Sequence, residues 1–142
     1  MKSFIVITFV LLALNCSDND TDDASNCSDV FCTQEFRTIT VSVKDRDGVA
    51  VALDKFKVLV LAGGEDITLN TANGEYDWMI KNGTYPLFSD KYSMEYRNKE
   101  LEVNFKGYIG NSLVVDSHYT VGADCCHVTL IEGETAIVID NP

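Results

Sequence analysis

The stretch Phe36-Arg37-Thr38-Ile39-Thr40-Val41-Ser42-Val43 places apolar residues at every second position from Ile39 onward. Successive side chains of a strand point to opposite faces, so this alternation predicts a strand with one buried face. The segment Asp45-Arg46-Asp47-Gly48 then predicts a tight turn, in which Gly48 is suited to a positive φ. Together these residues indicate the start of an antiparallel sheet.

Similar patterns recur along the chain and are separated by turn signals such as Gly63-Gly64, Asn82-Gly83 and Gly110-Asn111. The further predicted strands are residues 56–61, 75–80, 101–109, 113–115, 126–131 and 135–139, with the last two forming a hairpin across residues 132–134. Residues 89–99 suit either an edge strand or a short helical turn. Seven or eight short strands predict an all-β fold, an antiparallel Ig-like sandwich or a small barrel.

Residues 39–51 add a family resemblance, because a strand, an Asp-Gly turn and a second strand led by small apolar residues follow one another there. This segment resembles the opening of carboxypeptidase-regulatory-like and transthyretin-like sandwich domains. The resemblance implies a transthyretin-like sandwich, and it covers about the first third of the domain. It implies no particular function, since sandwiches host many functions.

The N-terminus combines Lys2, an apolar run over residues 4–14, Cys16 and an acidic stretch over residues 17–23. This eleven-residue run is too short to span a bilayer but suits an export signal. Residues 12–16 resemble the lipobox of Bacteroidetes-type lipoproteins, which implies lipidation of Cys16. The predicted organisation is a signal peptide over residues 1–15, a flexible acidic tether over residues 16–26 and a sandwich domain over residues 27–142.

Two further features bear on location. Residues 119–128 resemble the end of small Flavobacteria-type lipoproteins of no assigned activity, and an acidic run after the lipidated cysteine resembles a signal for surface display. We therefore expect an anchor in the bacterial outer membrane, facing the cell exterior, with the periplasmic face as the alternative. Cleavage before Cys16 leaves 10 Lys+Arg against 22 Asp+Glu, a net charge of −12. That charge argues against nucleic-acid partners and against adsorption to anionic lipid.

Lipidation of Cys16 leaves four other cysteines, Cys27, Cys32, Cys125 and Cys126. An even number of cysteines in an exported chain predicts two disulfides. We expect two cross-links between the residue 27–32 segment and Cys125-Cys126, with one bridge in the core and one on the surface. The alternative is a local Cys27–Cys32 loop with a vicinal Cys125–Cys126 bond.

Two metal-site hypotheses compete with structural interpretations. Asp124-Cys125-Cys126-His127 offers soft and borderline ligands for zinc or copper, although disulfide formation would consume the thiols. Asp45-Arg46-Asp47-Gly48 could form half of a calcium loop, but the acid of an EF-hand would fall at Phe56, which favours a hairpin turn. We therefore expect no metal and no cofactor.

No motif for nucleophilic catalysis is present, so the predicted function is a non-catalytic binding or accessory module with a protein or glycan partner. Tyr92 and Tyr96 are the candidate binding residues, because they lie in a polar, surface-like segment, whereas Trp78 is expected in the core. The alternatives are an inhibitor subunit of an envelope complex and an exported hydrolase. The hydrolase would require His118 or His127 to meet a Ser or Thr hydroxyl in a cleft.

Overall fold

The computed structural model describes residues 27–69, 74 and 76–140, and these residues form two packed β-sheets. The first sheet has the order β3-β1-β7 and the second has the order β2-β4-β5-β6. This confirms the predicted all-β sandwich, with seven strands. The strands are β1 (Thr38–Asp45), β2 (Lys55–Val60), β3 (Thr84–Ser89), β4 (Lys99–Ile109), β5 (Ser112–Ala123), β6 (Val128–Glu132) and β7 (Ala136–Ile139).

The core lies between the two sheets and is built from the alternating positions that the sequence indicates. Val41 and Val43 of β1 are fully buried and face apolar residues of the second sheet, including Phe105 of β4. The ring of Tyr85 lies 5.9 Å from that of Phe105. Its hydroxyl accepts a hydrogen bond from the Leu53 amide at 2.6 Å and donates one to the Val51 carbonyl at 2.7 Å. Tyr85 therefore satisfies the buried backbone of the connection between β1 and β2.

The predicted hairpin between the last two strands is wrong. Strand β6 pairs with β5 in the second sheet, whereas β7 runs parallel to β1 in the first sheet. The chain crosses between the sheets at Gly133, whose φ of +121° favours glycine and where a side chain would collide with the Tyr119 ring. Both strands alternate as expected, but alternation does not specify which sheet a strand joins.

The predicted strand over residues 75–80 is also wrong, because the described part of it forms a short helix, α1 (Asp77–Lys81). Asn82-Gly83 ends this helix, with Gly83 at a φ of +66°, instead of closing a hairpin. Strand β3 follows directly and was not predicted. Its residues are almost all buried and include Pro86, so it shows neither alternation nor the composition of a central strand.

Of the two structures predicted for residues 89–99, the helical turn is present. A single 3₁₀ turn spans Asp90–Tyr92, and further turns lead to Asn98 at a φ of +52° before β4 begins. Asn tolerates this left-handed conformation better than most residues.

The pairing of β1 with β3 defines two ends of the molecule. Thr38 pairs with Ser89 at one end, and Ser42 pairs with Thr84 at the other, so α1 lies opposite to Asp90. We call residues 27–37, 90–98 and 124–127 the cysteine pole. We call residues 46–54, 76–83 and 110–111 the far pole.

Candidate functional site

Two disulfides form the cysteine pole and join the two segments expected from the sequence. Cys27 bonds to Cys125 and Cys32 bonds to Cys126, with Cα atoms 5.4 and 5.3 Å apart, as suits unstrained bridges. Cys125 and Cys126 lie in the connection between β5 and β6 rather than on a strand. Neither bridge enters the core, because none of the four cysteines is buried, so the expectation of one core bridge is wrong.

Asp124 fixes the conformation of the connection that carries these two cysteines. Its Oδ1 accepts hydrogen bonds from the backbone amides of Cys126 at 2.6 Å and His127 at 2.8 Å. These two bonds hold the pKa of Asp124 below its ordinary value. The side chain thus acts as an Asx turn and places His127 at the entry to β6.

A chain of side-chain hydrogen bonds runs through His127. Its Nδ1 lies 2.7 Å from Oδ2 of Asp90, and its Nε2 lies 2.9 Å from the hydroxyl oxygen of Thr33. Because Nδ1 faces a carboxylate, it carries the proton of the neutral ring, and Nε2 then accepts a hydrogen bond from the Thr33 hydroxyl. Thr33 is exposed, whereas His127 is buried and the side chain of Asp90 is only 8% exposed.

The buried carboxylate of Asp90 joins three separate parts of the fold. Besides His127, it accepts hydrogen bonds from the amides of Arg37 and Val128, each at 2.8 Å. Burial raises the pKa of Asp90, but the hydrogen bonds from Arg37, His127 and Val128 outweigh it and leave the pKa below its ordinary value. Asp90 therefore ties the residue preceding β1 to the first residue of β6.

The cysteine pole has the geometry for nucleophilic chemistry at Thr33, whereas its disulfides limit metal binding. A hydroxyl beside an imidazole that is oriented by a carboxylate is the geometry of a nucleophile with its general base. The cysteine sulfurs, in contrast, are consumed in disulfides and supply no thiolate ligands. Within residues 27–69, 74 and 76–140, no group of three or more His, Cys, Asp or Glu side chains is arranged to hold a metal ion.

The other candidate side chains lie apart from this chain of hydrogen bonds. Tyr92 and Tyr96 are half-buried and pack on Phe88, with ring centroids at 5.4 and 5.8 Å, and the Tyr92 hydroxyl donates to the Ile67 carbonyl at 3.0 Å. Both rings thus serve in packing at the cysteine pole. The expectation that Trp78 is a core residue is wrong, because its side chain on α1 is 66% exposed.

His118 does not meet His127. It lies on the outer face of the second sheet, opposite Asn104 of β4. There it lines a groove of about 220 Å³ together with Leu61, Glu102, Tyr119, Thr120, Glu132 and Gly133.

The sequence interpretation missed Thr33 and Asp90 as partners of His127. Neither residue belongs to a short motif, and they lie 94 and 37 positions from His127. Only the disulfide pattern carried a signal, because it brings residues near position 32 close to residues near position 126.

No family model, curated protein or solved structure matches this chain. Within the part of the chain that the structure describes, no helix has the length and apolar character needed to cross a membrane.

Proposed function

We propose that this protein is an exported lipoprotein, anchored to the bacterial outer membrane through Cys16 and acting as a non-catalytic binding or accessory module. Cys16, the signal peptide and the acidic tether lie outside the described residues, so the anchor rests on their sequence alone. The observation that carries the proposal is the position of the disulfides, which attach the chain just after the predicted tether to the body of the sandwich.

The presence of the disulfides supports export, and their position supports anchoring. Disulfides form and persist in oxidising compartments, which agrees with an export signal. A domain held by its N-terminus also transmits any pull on the anchor through residues 27–37. With Cys27 bonded to Cys125, that pull acts on covalent bonds before it reaches β1.

The non-catalytic part of the proposal is supported by the burial of His127 and by the structural role of Asp90. Besides facing His127, the Asp90 carboxylate accepts hydrogen bonds from the backbone amides of Arg37 and Val128. A general base must also reach the leaving group of a substrate. The His127 side chain is only 9% exposed, so the chain of hydrogen bonds is suited to holding Thr33 and its disulfide-linked segment in place.

The far pole supports the binding part of the proposal, because it lies at the end of the sandwich opposite Cys27 and exposes an aromatic ring. Trp78 is 66% exposed there, and large exposed aromatic side chains are typical anchors of protein and glycan interfaces. A groove of about 300 Å³ borders α1 and is lined by Leu53, Asp54, Lys55, Phe56, Thr68, Leu69 and Ile80. We place the partner site on this pole.

Metabolic labelling tests the anchor. Cells expressing the full chain should incorporate a clickable fatty acid into the protein, and Cys16→Ser should abolish the label. Equal labelling of the variant would contradict lipidation at Cys16. Digestion of intact cells with an added protease then separates the two membrane faces, because a surface-displayed domain is cleaved and a periplasmic one is protected.

Cross-linking in living cells tests the partner site. A mild cross-linker followed by purification should recover a partner with the natural chain and lose it with Trp78→Ala. The matched control is Met94→Ala, since Met94 is similarly exposed at 71% but lies at the cysteine pole. Recovery of a partner subunit of an envelope complex would favour an accessory or inhibitor role, and loss with the Met94 variant alone would move the site to the other pole.

A second candidate function, an exported hydrolase, is favoured by one observation, the Thr33–His127–Asp90 chain of hydrogen bonds. In that reaction the Thr33 oxygen attacks an ester carbonyl carbon, and its proton passes to His127 Nε2 and then to the departing alkoxide. Water afterwards releases the acyl group and restores the hydroxyl.

A chromogenic aryl ester distinguishes the two candidates. A hydrolase should acylate Thr33, retain activity as Thr33→Ser and lose it as Thr33→Ala. Equal and slow turnover by all three proteins would exclude the hydrolase and leave the binding module.

A further inference from the structure

Phe31 is the most exposed of the large hydrophobic residues that the structure describes, with 99% of its surface accessible. It lies beside Val30, which is 48% exposed, in a loop closed at both ends by disulfides through Cys27 and Cys32. The amide of Val30 also donates to the Cys27 carbonyl at 3.4 Å. The loop is therefore held in one shape while its two apolar side chains remain in water, where burying them elsewhere would be favourable.

We propose that Phe31 and Val30 insert into the interface of the lipid bilayer to which the chain is anchored. This inference rests on the proposed function, since it takes Cys16 as the attachment point. It adds a second, protein-borne contact with lipid, which would orient the domain with its far pole outward.

The length of chain outside the described residues favours the bilayer over other occupants. Eleven peptide steps separate Cys16 from Cys27. A flexible segment of that length has a typical end-to-end distance of about 20 Å and an upper limit near 40 Å. Phe31 is within about 20 Å of Cys27, because each disulfide places two Cα atoms 5.3–5.4 Å apart and Cys125 adjoins Cys126. The loop can thus reach the membrane without stretching the tether.

The anchor also reduces the affinity that the loop needs. A short flexible tether gives an effective concentration in the millimolar range, so a contact too weak to recruit a free protein is populated once the protein is attached. The net charge of −12 for the mature chain opposes electrostatic adsorption to anionic lipid. Apolar insertion needs no such attraction. At this pole, Arg37, Lys91 and Arg97 offset part of the local acidic charge.

The test uses the mature chain, residues 16–142, attached through Cys16 to a maleimide-bearing phospholipid in phosphatidylcholine and phosphatidylethanolamine vesicles. Cys16 is the one cysteine outside the two disulfides, so coupling occurs there. The chain has a single tryptophan, Trp78. Phe31→Trp combined with Trp78→Phe moves the fluorescent probe into the loop, and the protein with its natural Trp78 serves as the matched control.

We expect the emission of the residue-31 probe to shift to the blue on attachment and to be quenched by brominated lipid, while Trp78 shows neither effect. Energy transfer from Trp78 to a dansyl-labelled lipid reports how the domain is oriented on the vesicle. In this assay, Phe31→Ser should lower the ratio of molecules with the loop inserted to molecules without it about tenfold, as loss of a buried Phe predicts. An unshifted and unquenched probe would overturn the proposal, as would a blue shift that depends on protein concentration and not on vesicles.

This experiment is independent of the labelling test of the anchor. Chemical coupling replaces the biological acylation, so failure of acylation leaves the vesicle result interpretable. A protein that is acylated in cells but shows no quenching in vesicles would retain the proposed function and lose only the inserted loop. Because Phe31 is exposed, its replacement should leave folding unchanged, which thermal unfolding of each variant checks.

Discussion

At the cysteine pole, two disulfides and the Thr33–His127–Asp90 hydrogen bonds hold residues 27–37 to the sheets. At the far pole, the hydroxyl of Tyr85 and a set of turns hold the connection between β1 and β2. The first pole is fixed covalently, and there both ring nitrogens of His127 and both carboxylate oxygens of Asp90 have hydrogen-bond partners. The second pole carries a short helix and an exposed tryptophan. This contrast is the basis of our proposal that the protein is attached at one end and binds its partner at the other.

The largest expected effect comes from removing both disulfides. One bridge closes a loop of nearly 100 residues, which corresponds to about 4.7 kcal/mol. The second then closes only the short ring through Cys27–Cys32 and Cys125–Cys126, worth about 2 kcal/mol. We therefore expect Cys32→Ser/Cys126→Ser to lower the free energy of unfolding by about 2 kcal/mol and loss of all four cysteines to lower it by about 7 kcal/mol.

Urea denaturation of the three proteins measures this difference. Equal costs for the first and the second bridge would show that the two disulfides act independently and would contradict their shared position. The natural protein treated with reductant is the control for side effects of the serine substitutions.

Replacement of the buried carboxylate at the cysteine pole should have the next largest effect. Asp90→Asn replaces the carboxylate with a side-chain amide, whose NH₂ group cannot accept a hydrogen bond. The backbone amides of Arg37 and Val128 and the His127 ring all donate to this position. Leaving such donors unsatisfied costs about 1–3 kcal/mol. We expect a loss of about 3 kcal/mol in the free energy of unfolding at pH 7.

The same variant carries a pH signature. The pKa of Asp90 is lower in the folded protein than in the unfolded chain, where it is about 3.9, so its stabilisation is complete above that pH and is lost as the pH falls toward the folded-state pKa. The difference in stability between natural protein and Asp90→Asn should therefore shrink below about pH 4. A difference that stays constant from pH 7 to pH 3 would contradict the ionised role of Asp90.

At the far pole, Tyr85→Phe should cost somewhat less. It removes one hydroxyl and leaves the Leu53 amide and Val51 carbonyl without that partner in a buried place. We expect a loss of about 2 kcal/mol. Amide hydrogen exchange should quicken at residues 51–54 and stay unchanged at residues 124–128, and faster exchange at both ends would show that the poles are not independent.

The smallest effect on stability is expected at Trp78. A side chain that is 66% exposed on a short helix contributes little to the core, so Trp78→Ala should change the free energy of unfolding by less than about 0.5 kcal/mol. Thermal unfolding measures this. A large loss would identify Trp78 as a structural residue and remove the main support for recognition at the far pole.

The sequence predicted the strands that have one buried face and the ends of the chain that the cysteines join. Strand β1 alternates, and the turn at Gly48 has the expected positive φ of 80°. The sequence did not predict β3, because a strand buried on both sides has no alternation. It also could not place β6 and β7 in different sheets, since pairing is decided by long-range packing.

The site was predictable to a similar extent. An even number of cysteines, in a chain whose N-terminus resembles an export signal, indicated two disulfides that cross-link residues 27–32 to Cys125-Cys126, as the structure has them. The sequence did not specify which cysteine of one segment bonds to which cysteine of the other. Asp90 and Thr33 were not predictable, because each reaches His127 only after the sandwich has formed. Trp78 was assigned to the core on the general preference of aromatic rings for burial, which a five-residue helix at the surface does not satisfy.

The central claim, that covalent bonds fix the attached end, is tested most directly by stretching a single molecule held at residue 16 and at the C-terminus. With the disulfides intact, force passes from Cys27 to Cys125, so apart from the tether only residues 126–142 can extend, by about 60 Å. After reduction the whole domain extends by several hundred ångström, about 3.4 Å per residue. Extension to the full length in the oxidised protein would contradict the claim and indicate local Cys27–Cys32 and Cys125–Cys126 bonds.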